Sequence, residues 1–130
     1  MPDRKLKPSE VIYRYKAVEV GGSLKSHRIV LIFENIITQF RRAALAIEQH
    51  DVPMRADAVS KSLTILGTLR QELDFEAAPE LAANLELFYL SATKKVFTCH
   101  KDTDCDGFLE LASEFHLVLE KITAALSDQS

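Results

Sequence analysis

Apolar residues recur along this chain at steps of three and four. From about Ser26 to Gln49 they fall at Ile29, Phe33, Ile36, Phe40, Ala44 and Ile47. That is the period of one helix face; a strand would alternate every second residue. Pro53 to Leu73 carries Val59, Leu63, Leu66, Leu69 and Leu73 in the same rhythm. Pro79 to Cys99 carries Leu81, Leu85, Phe88, Ala92 and Val96, and about Asp106 to Leu126 carries Phe108, Ala112, Phe115, Leu119, Ile122 and Leu126. Breaks fall at Gly21-Gly22-Ser23, His50-Asp51-Val52-Pro53, Phe75 to Pro79 and Asp102 to Gly107. Asp51 is placed to cap the helix it precedes, and Pro53 and Pro79 fall in first turns, where a missing N–H costs little. Gly67 lies inside a helix, at about 1 kcal/mol against Ala, and suggests close helix approach.

The predicted fold is all-α. Loops of about four to eight residues make consecutive helices antiparallel neighbours, so the four segments form an up-down-up-down four-helix bundle. A shorter segment, Ser9 to Ala17, carries Val11, Ile12 and Tyr15. It is too short to be stable alone and must dock on something. The expected organisation is one domain over 1–130, with residues 1–22 as an arm and short helix and 23–126 as the bundle.

Composition narrows the function. At 130 residues the chain is one domain's worth, and 47% hydrophobic content is enough for a core without disulfides. The net charge of −3 argues against nucleic acid, whose binders present a basic surface. The charge is uneven: residues 1–16 hold five Lys or Arg and two acids, net +3, leaving −6 for the remainder. The longest apolar run, Ile29 to Phe33, ends at Glu34, far short of a membrane span. Nothing resembles a secretory signal. The expected location is the cytoplasm, with Cys99 and Cys105 reduced.

Catalytic chemistry finds no support. A di-iron bundle needs Glu-x-x-His pairs, and no Glu here is followed by His three residues on. Asp102-Thr103-Asp104-Cys105-Asp106-Gly107 opens like a calcium loop, but the twelfth position, which needs Glu, is Ser113. Asp and Gly also make tight turns and helix caps, and the cap is the favoured role. Cys99, His100, Cys105 and His116 lack the paired short spacing of a zinc site, and Cys99 falls on the apolar phase of its helix. No Gly-rich phosphate loop or nucleophile elbow is present. The expectation is a non-enzyme without cofactor or metal.

The helices carry more apolar residues than one stripe requires. Val30, Leu31, Ile32 and Ile37 lie beyond the first core phase, and Leu87, Leu90 and Phe97 beyond that of the third helix. Ile65, Leu109 and Leu117 add to them. Such a surplus either broadens the core contact with two neighbours or lines a groove for an amphipathic partner helix.

Five blocks, in order, resemble the flagellar secretion chaperone family FliS over about residues 13 to 122. They are Tyr15-Lys16; Ser26 through Glu34; Ala46-Ile47-Glu48-Gln49-His50-Asp51-Val52; Leu73-Asp74-Phe75-Glu76; and Glu80-Leu81-Ala82-Ala83-Asn84-Leu85, continuing to Phe88-Tyr89. The chain departs from the family pattern where Pro is missing after Ser26, where Asn35 replaces Gly, in the turn from Phe97 to Gly107, and in lacking a late Trp. The resemblance implies an antiparallel bundle that holds the C-terminal segment of flagellin in extended-helical form, prevents premature polymerisation, and assists delivery to the flagellar export gate. A disordered segment can wrap a large surface at modest affinity per area. With the resemblance, the surplus apolar stripes gain weight as a groove. The residues expected to contact the client are Tyr15, Leu31, Phe33, Glu34, Ile37, Asn84, Leu87, Tyr89, Leu90 and Phe97. An adaptor bundle for another protein's helix is the alternative, and monomer and homodimer both stay open.

Overall fold

The computed structural model describes residues 23–77 and 79–128. They form four α-helices: α1 (Ser23–Glu48), α2 (Val52–Gln71), α3 (Pro79–Asp102) and α4 (Cys105–Asp128). These are the four predicted segments, with ends moved by three residues at most. The expected short helix Ser9–Ala17, and Tyr15 within it, lies outside the described residues.

Two linkers are shorter than expected: three residues (49–51) and two residues (103–104). Both use the same device. His50 (φ 56°) and Thr103 (φ 47°) adopt the left-handed conformation. The His50 N–H donates to Ile47 O and the Asp51 N–H to Ala46 O (2.8 Å). At the end of α3 the Thr103 N–H donates to His100 O and the Asp104 N–H to Cys99 O (2.9 Å). This pairing is a Schellman stop, which satisfies orphan carbonyls at a helix C-terminus. Neither left-handed residue is Gly, which costs about 1–2 kcal/mol each. The Asp that follows then caps the next helix: Asp51 Oδ1 accepts the Met54 N–H (3.0 Å) and Asp104 Oδ1 the Gly107 N–H (2.9 Å). Asp104 is thus a cap, and Gly107 sits inside the first turn of α4. The remaining linker, 72–78, is shaped by Asp74, whose Oδ1 accepts N–H groups from Glu76 and Ala77.

Contacts between neighbouring helices run in opposite chain directions. Arg28 of α1 pairs with Glu72, the cap just past α2, and Arg42 of α1 with Asp57 in α2. Lys95 pairs with Glu110, and Phe88 stacks on Phe115, across α3 and α4. Phe33 meets Phe115, and Cys105 Sγ donates to Ala44 O, across α1 and α4. Arg70–Glu86 joins the end of α2 to the start of α3. The helices follow one another around a ring, α1 packing most extensively against α4 and α2, with α1 and α3 as diagonal members.

Phe115 is the centre of the core. Its ring lies 5.4 Å from Phe33, 5.3 Å from Phe40 and 5.0 Å from Phe88, centroid to centroid. Leu66, Leu85, Leu111 and Ile122 are fully buried around this cluster. Cys99 is buried, as its helical phase predicts, and burial is the main cause pushing its thiol above the ordinary value. The α1–α2 seam carries a polar chain. Gln39, itself buried, donates to Asn35 Oδ1 and accepts from Arg42, which also reaches Asp57. Hydrogen bonds from Lys61 and then Arg42 hold the Asp57 carboxyl below its usual range. That pairing is present at neutral pH and is lost as pH falls through the lowered value. It is exposed, so its weight in stability is small.

Gly67 does not serve close helix approach: a Cβ there would meet nothing within 4 Å. Gly107 is the glycine that packing demands, because a Cβ would collide with Cys99 Sγ and the Asp104 carboxylate. The two glycines should therefore respond oppositely to alanine. Gly67→Ala should stabilise by about 0.5–1 kcal/mol through helix propensity. Gly107→Ala should destabilise by about 1–3 kcal/mol through overpacking. Urea denaturation of both variants checks this, and equal signs would contradict it.

Candidate protein-binding site

The buried positions of α3 fix what its other faces expose. Leu81, Leu85, Tyr89, Ala92, Val96 and Cys99 point inward. At 100° per residue, Leu87 falls almost opposite that line, and Phe97 lies on the same outer side. Both are largely exposed, 57% and 56%. Leu90, between them in angle, is half-buried. The three therefore share one face of α3, interrupted by exposed Lys94. Phe88 turns the other way, onto Phe115.

On α1 the inward line is Phe33, Ile36, Ile37, Phe40, Ala43 and Ala44. Leu31 stands outside it at 65% exposure. Thr38 and Leu45 follow at seven-residue steps and are also exposed. Glu34 is exposed beside them, its carbonyl accepting the Thr38 hydroxyl.

Three expected contact residues are corrected by their burial. Phe33 and Tyr89 are core residues at 0% and 1% exposure, and Ile37 faces inward at 4%. Helix phase places all three among the packed side chains, where a partner cannot touch them without opening the bundle. Asn84 is half-buried. A second correction concerns shape. The α1 and α3 stripes do not line one groove, because these helices are diagonal in the ring and their outer faces look away from each other. Leu45, Val52 and Phe75 are exposed apolar residues absent from the expected set. The seven-residue step from Leu31 was the available signal for Leu45. Val52 and Phe75 lie at helix boundaries, where periodicity gives none.

Catalytic or metal-binding geometry does not emerge from these faces. Among the described residues no group of three or more His, Cys, Asp or Glu could hold a metal ion. No helix among them is long and apolar enough to cross a membrane. What the faces offer is apolar contact area.

The family model for flagellar protein FliS matches residues 10–123. The chain belongs to the FliS family. Three FliS relatives are similar to it at low identity. The flagellar secretion chaperone FliSB of Pseudomonas aeruginosa is 33% identical over 80 residues, covering 58% of this chain and 64% of that protein. The flagellar secretion chaperone FliS of Vibrio cholerae is 24% identical over 115 residues, 83% of this chain and 85% of its own. That of Salmonella typhimurium is 28% identical over 105 residues, 77% and 78% respectively.

Several FliS-like blocks have structural work in this chain. Asp51 caps α2, Asp74 builds the α2–α3 turn, and Leu85 and Tyr89 fill the core. Core and surface residues should separate in mutagenesis. Leu87→Asp and Phe97→Asp should each change stability by less than about 0.5 kcal/mol. Phe33→Ala and Tyr89→Ala should each cost about 3–5 kcal/mol. Thermal melts followed by circular dichroism distinguish the two classes.

Proposed function

We propose that this chain is a flagellar export chaperone of the cytoplasm, binding the C-terminal segment of flagellin. It keeps that segment from polymerising early and assists its delivery to the flagellar export gate. The observation that carries this proposal is the FliS match over residues 10–123. The names of the three relatives support secretion chaperoning. The surface adds physical support, because Leu31 on one flank and Leu87 and Phe97 on the other leave apolar area uncovered. Covering a Leu or Phe completely is worth about 1.5–3 kcal/mol, and ordering a disordered client takes back about 2–5 kcal/mol. The balance gives binding that holds a client and releases it without ATP. The stripes look away from each other, so a client using both wraps the bundle rather than lying in one groove. Binding of this kind needs no catalysis, cofactor, nucleic acid or membrane insertion.

Calorimetry with a synthetic peptide from the C-terminus of the cognate flagellin tests the proposal. Binding should show a negative heat-capacity change and little dependence on salt. Phe97→Asp should weaken it about tenfold or more, because the new charge would be buried unpaired. No detectable binding at tens of micromolar, about −6 kcal/mol, would replace this client with another protein's helix.

A further inference from the structure

The outer faces of α3 and α4 are alike in apolar content and opposite in charge. The face of α3 runs through Leu87, Lys94, Phe97 and Lys101, all exposed, with half-buried Leu90 among them. The face of α4 runs through Asp106, Leu109, Glu110, Leu117 and Glu120, all exposed. Lys94, Lys101 and Asp106 have no ion-pair partner among the described residues. Glu110 gives Lys95 only its Oε1. Apolar side chains bordered by charges have the make-up of a contact patch with its rim, and here the two rims are of opposite sign.

The faces also match in height. Within one chain Phe88 meets Phe115, Lys95 meets Glu110, and a Cβ on Gly107 would strike Cys99 Sγ. These contacts fix which residues of α3 and α4 stand level. Leu87 stands level with Leu117, Lys94 with Glu110, Phe97 with Leu109 and Lys101 with Asp106, each to within about half a helical turn. They match from side to side as well. At 100° per residue, Phe97 leans toward α2 and Leu109 toward α1, whereas Leu87 and Leu117 lie nearer the outermost line. Two copies with parallel axes can set the α3 face of one against the α4 face of the other. Those two helices then run antiparallel, and both leaning residues fall on the same side of the seam.

We propose that a second copy of this chain covers the α3 face: α4 of one copy packs antiparallel on α3 of the next, Leu87 on Leu117 and Phe97 on Leu109, with Lys94 against Glu110 and Lys101 against Asp106. The contact is head to tail, because each copy offers α3 on one side and α4 on the other. Neighbouring outer faces in a ring of four helices point about 90° apart, so four copies close a cyclic assembly. One helix face per copy buries less than about 1,200 Å² in all, the range of weak contacts, so assembly depends on concentration. It covers, in the client-free chain, apolar area assigned above to a client. The test uses this chain alone, so its failure and the failure of the flagellin reading are distinguishable.

Sedimentation equilibrium of the full chain should show monomers passing to tetramers with a Kd of roughly 0.1 mM per contact. The association should weaken several-fold near 1 M salt, where the screening length is about 3 Å. Two double variants read the polarity of the contact. Leu87→Asp with Phe97→Asp removes the α3 face, and Leu109→Asp with Leu117→Asp removes the α4 face. Each should keep its helical melt and be monomeric alone, and an equimolar mixture should form dimers and nothing larger. Self-association of either variant alone, or a monomeric mixture of folded variants, would overturn the head-to-tail contact, as would a wild-type chain that stays monomeric up to about 1 mM, ten times the expected Kd. Wild-type protein gives a second readout that needs no variant. In a mixture of ¹⁴N- and ¹⁵N-labelled chains, carbodiimide should join Lys94 to Glu110 and Lys101 to Asp106 between chains of different label. Links to these acids from Lys5, Lys7 or Lys16 would instead assign the α4 face to the N-terminal segment.

Discussion

The contact on which the bundle depends is the meeting of aromatic rings at Phe115. One side chain on α4 touches Phe33 and Phe40 from α1 and Phe88 from α3. Rings at 5.0–5.4 Å lie within the range where edge and offset contacts add about 0.5–1.5 kcal/mol each beyond area burial. This cluster ties both diagonal helices to a common point. It also fixes rotation: with Phe33, Phe40 and Phe88 turned toward Phe115, Leu31 and Leu87 must face away. The exposed stripes are consequences of the core.

The ends are held by different physics. Two helix pairs reverse through turns of two or three residues, each built from a left-handed residue and an Asp that caps the next helix. Compact turns of this kind satisfy backbone groups economically. They also limit how far the helices can splay, and they leave little side-chain bulk to plug the interior. The result is a bundle that is tightly aromatic in its middle and open at the turn end, where a cavity lined in part by Arg55 lies.

Much of this was legible in the sequence, because helix period is a repeated signal. Ile36, Phe40, Leu66, Leu85, Phe108 and Ile122 each recur in phase with neighbours, and all are buried. Asp51 was legible as a cap because its chemistry is local. The contact surface was harder. Ile37 and Leu31 are both apolar and six residues apart, and composition alone does not show that the inward face is wide enough to take in Ile37 while Leu31 stays outside. Phe33 and Tyr89 belong to recognisable blocks, but those blocks encode the scaffold as much as any client site. The orphaned Arg55 Nε, buried without a hydrogen-bond partner, depends on three-dimensional closure and leaves no trace in spacing.

The opposed outer faces of α1 and α3 have a kinetic consequence. A single chain that touches both is bivalent, and its second contact forms at an effective concentration set by the connecting segment. Half the girth of such a bundle is roughly 35 Å, given helix diameters of about 10 Å. An extended connection covers that in about ten residues at 3.3–3.6 Å each. Two weak contacts so joined hold together well. Yet each can let go separately, so a competitor that captures one freed end can peel the rest away without ever having to break both at once.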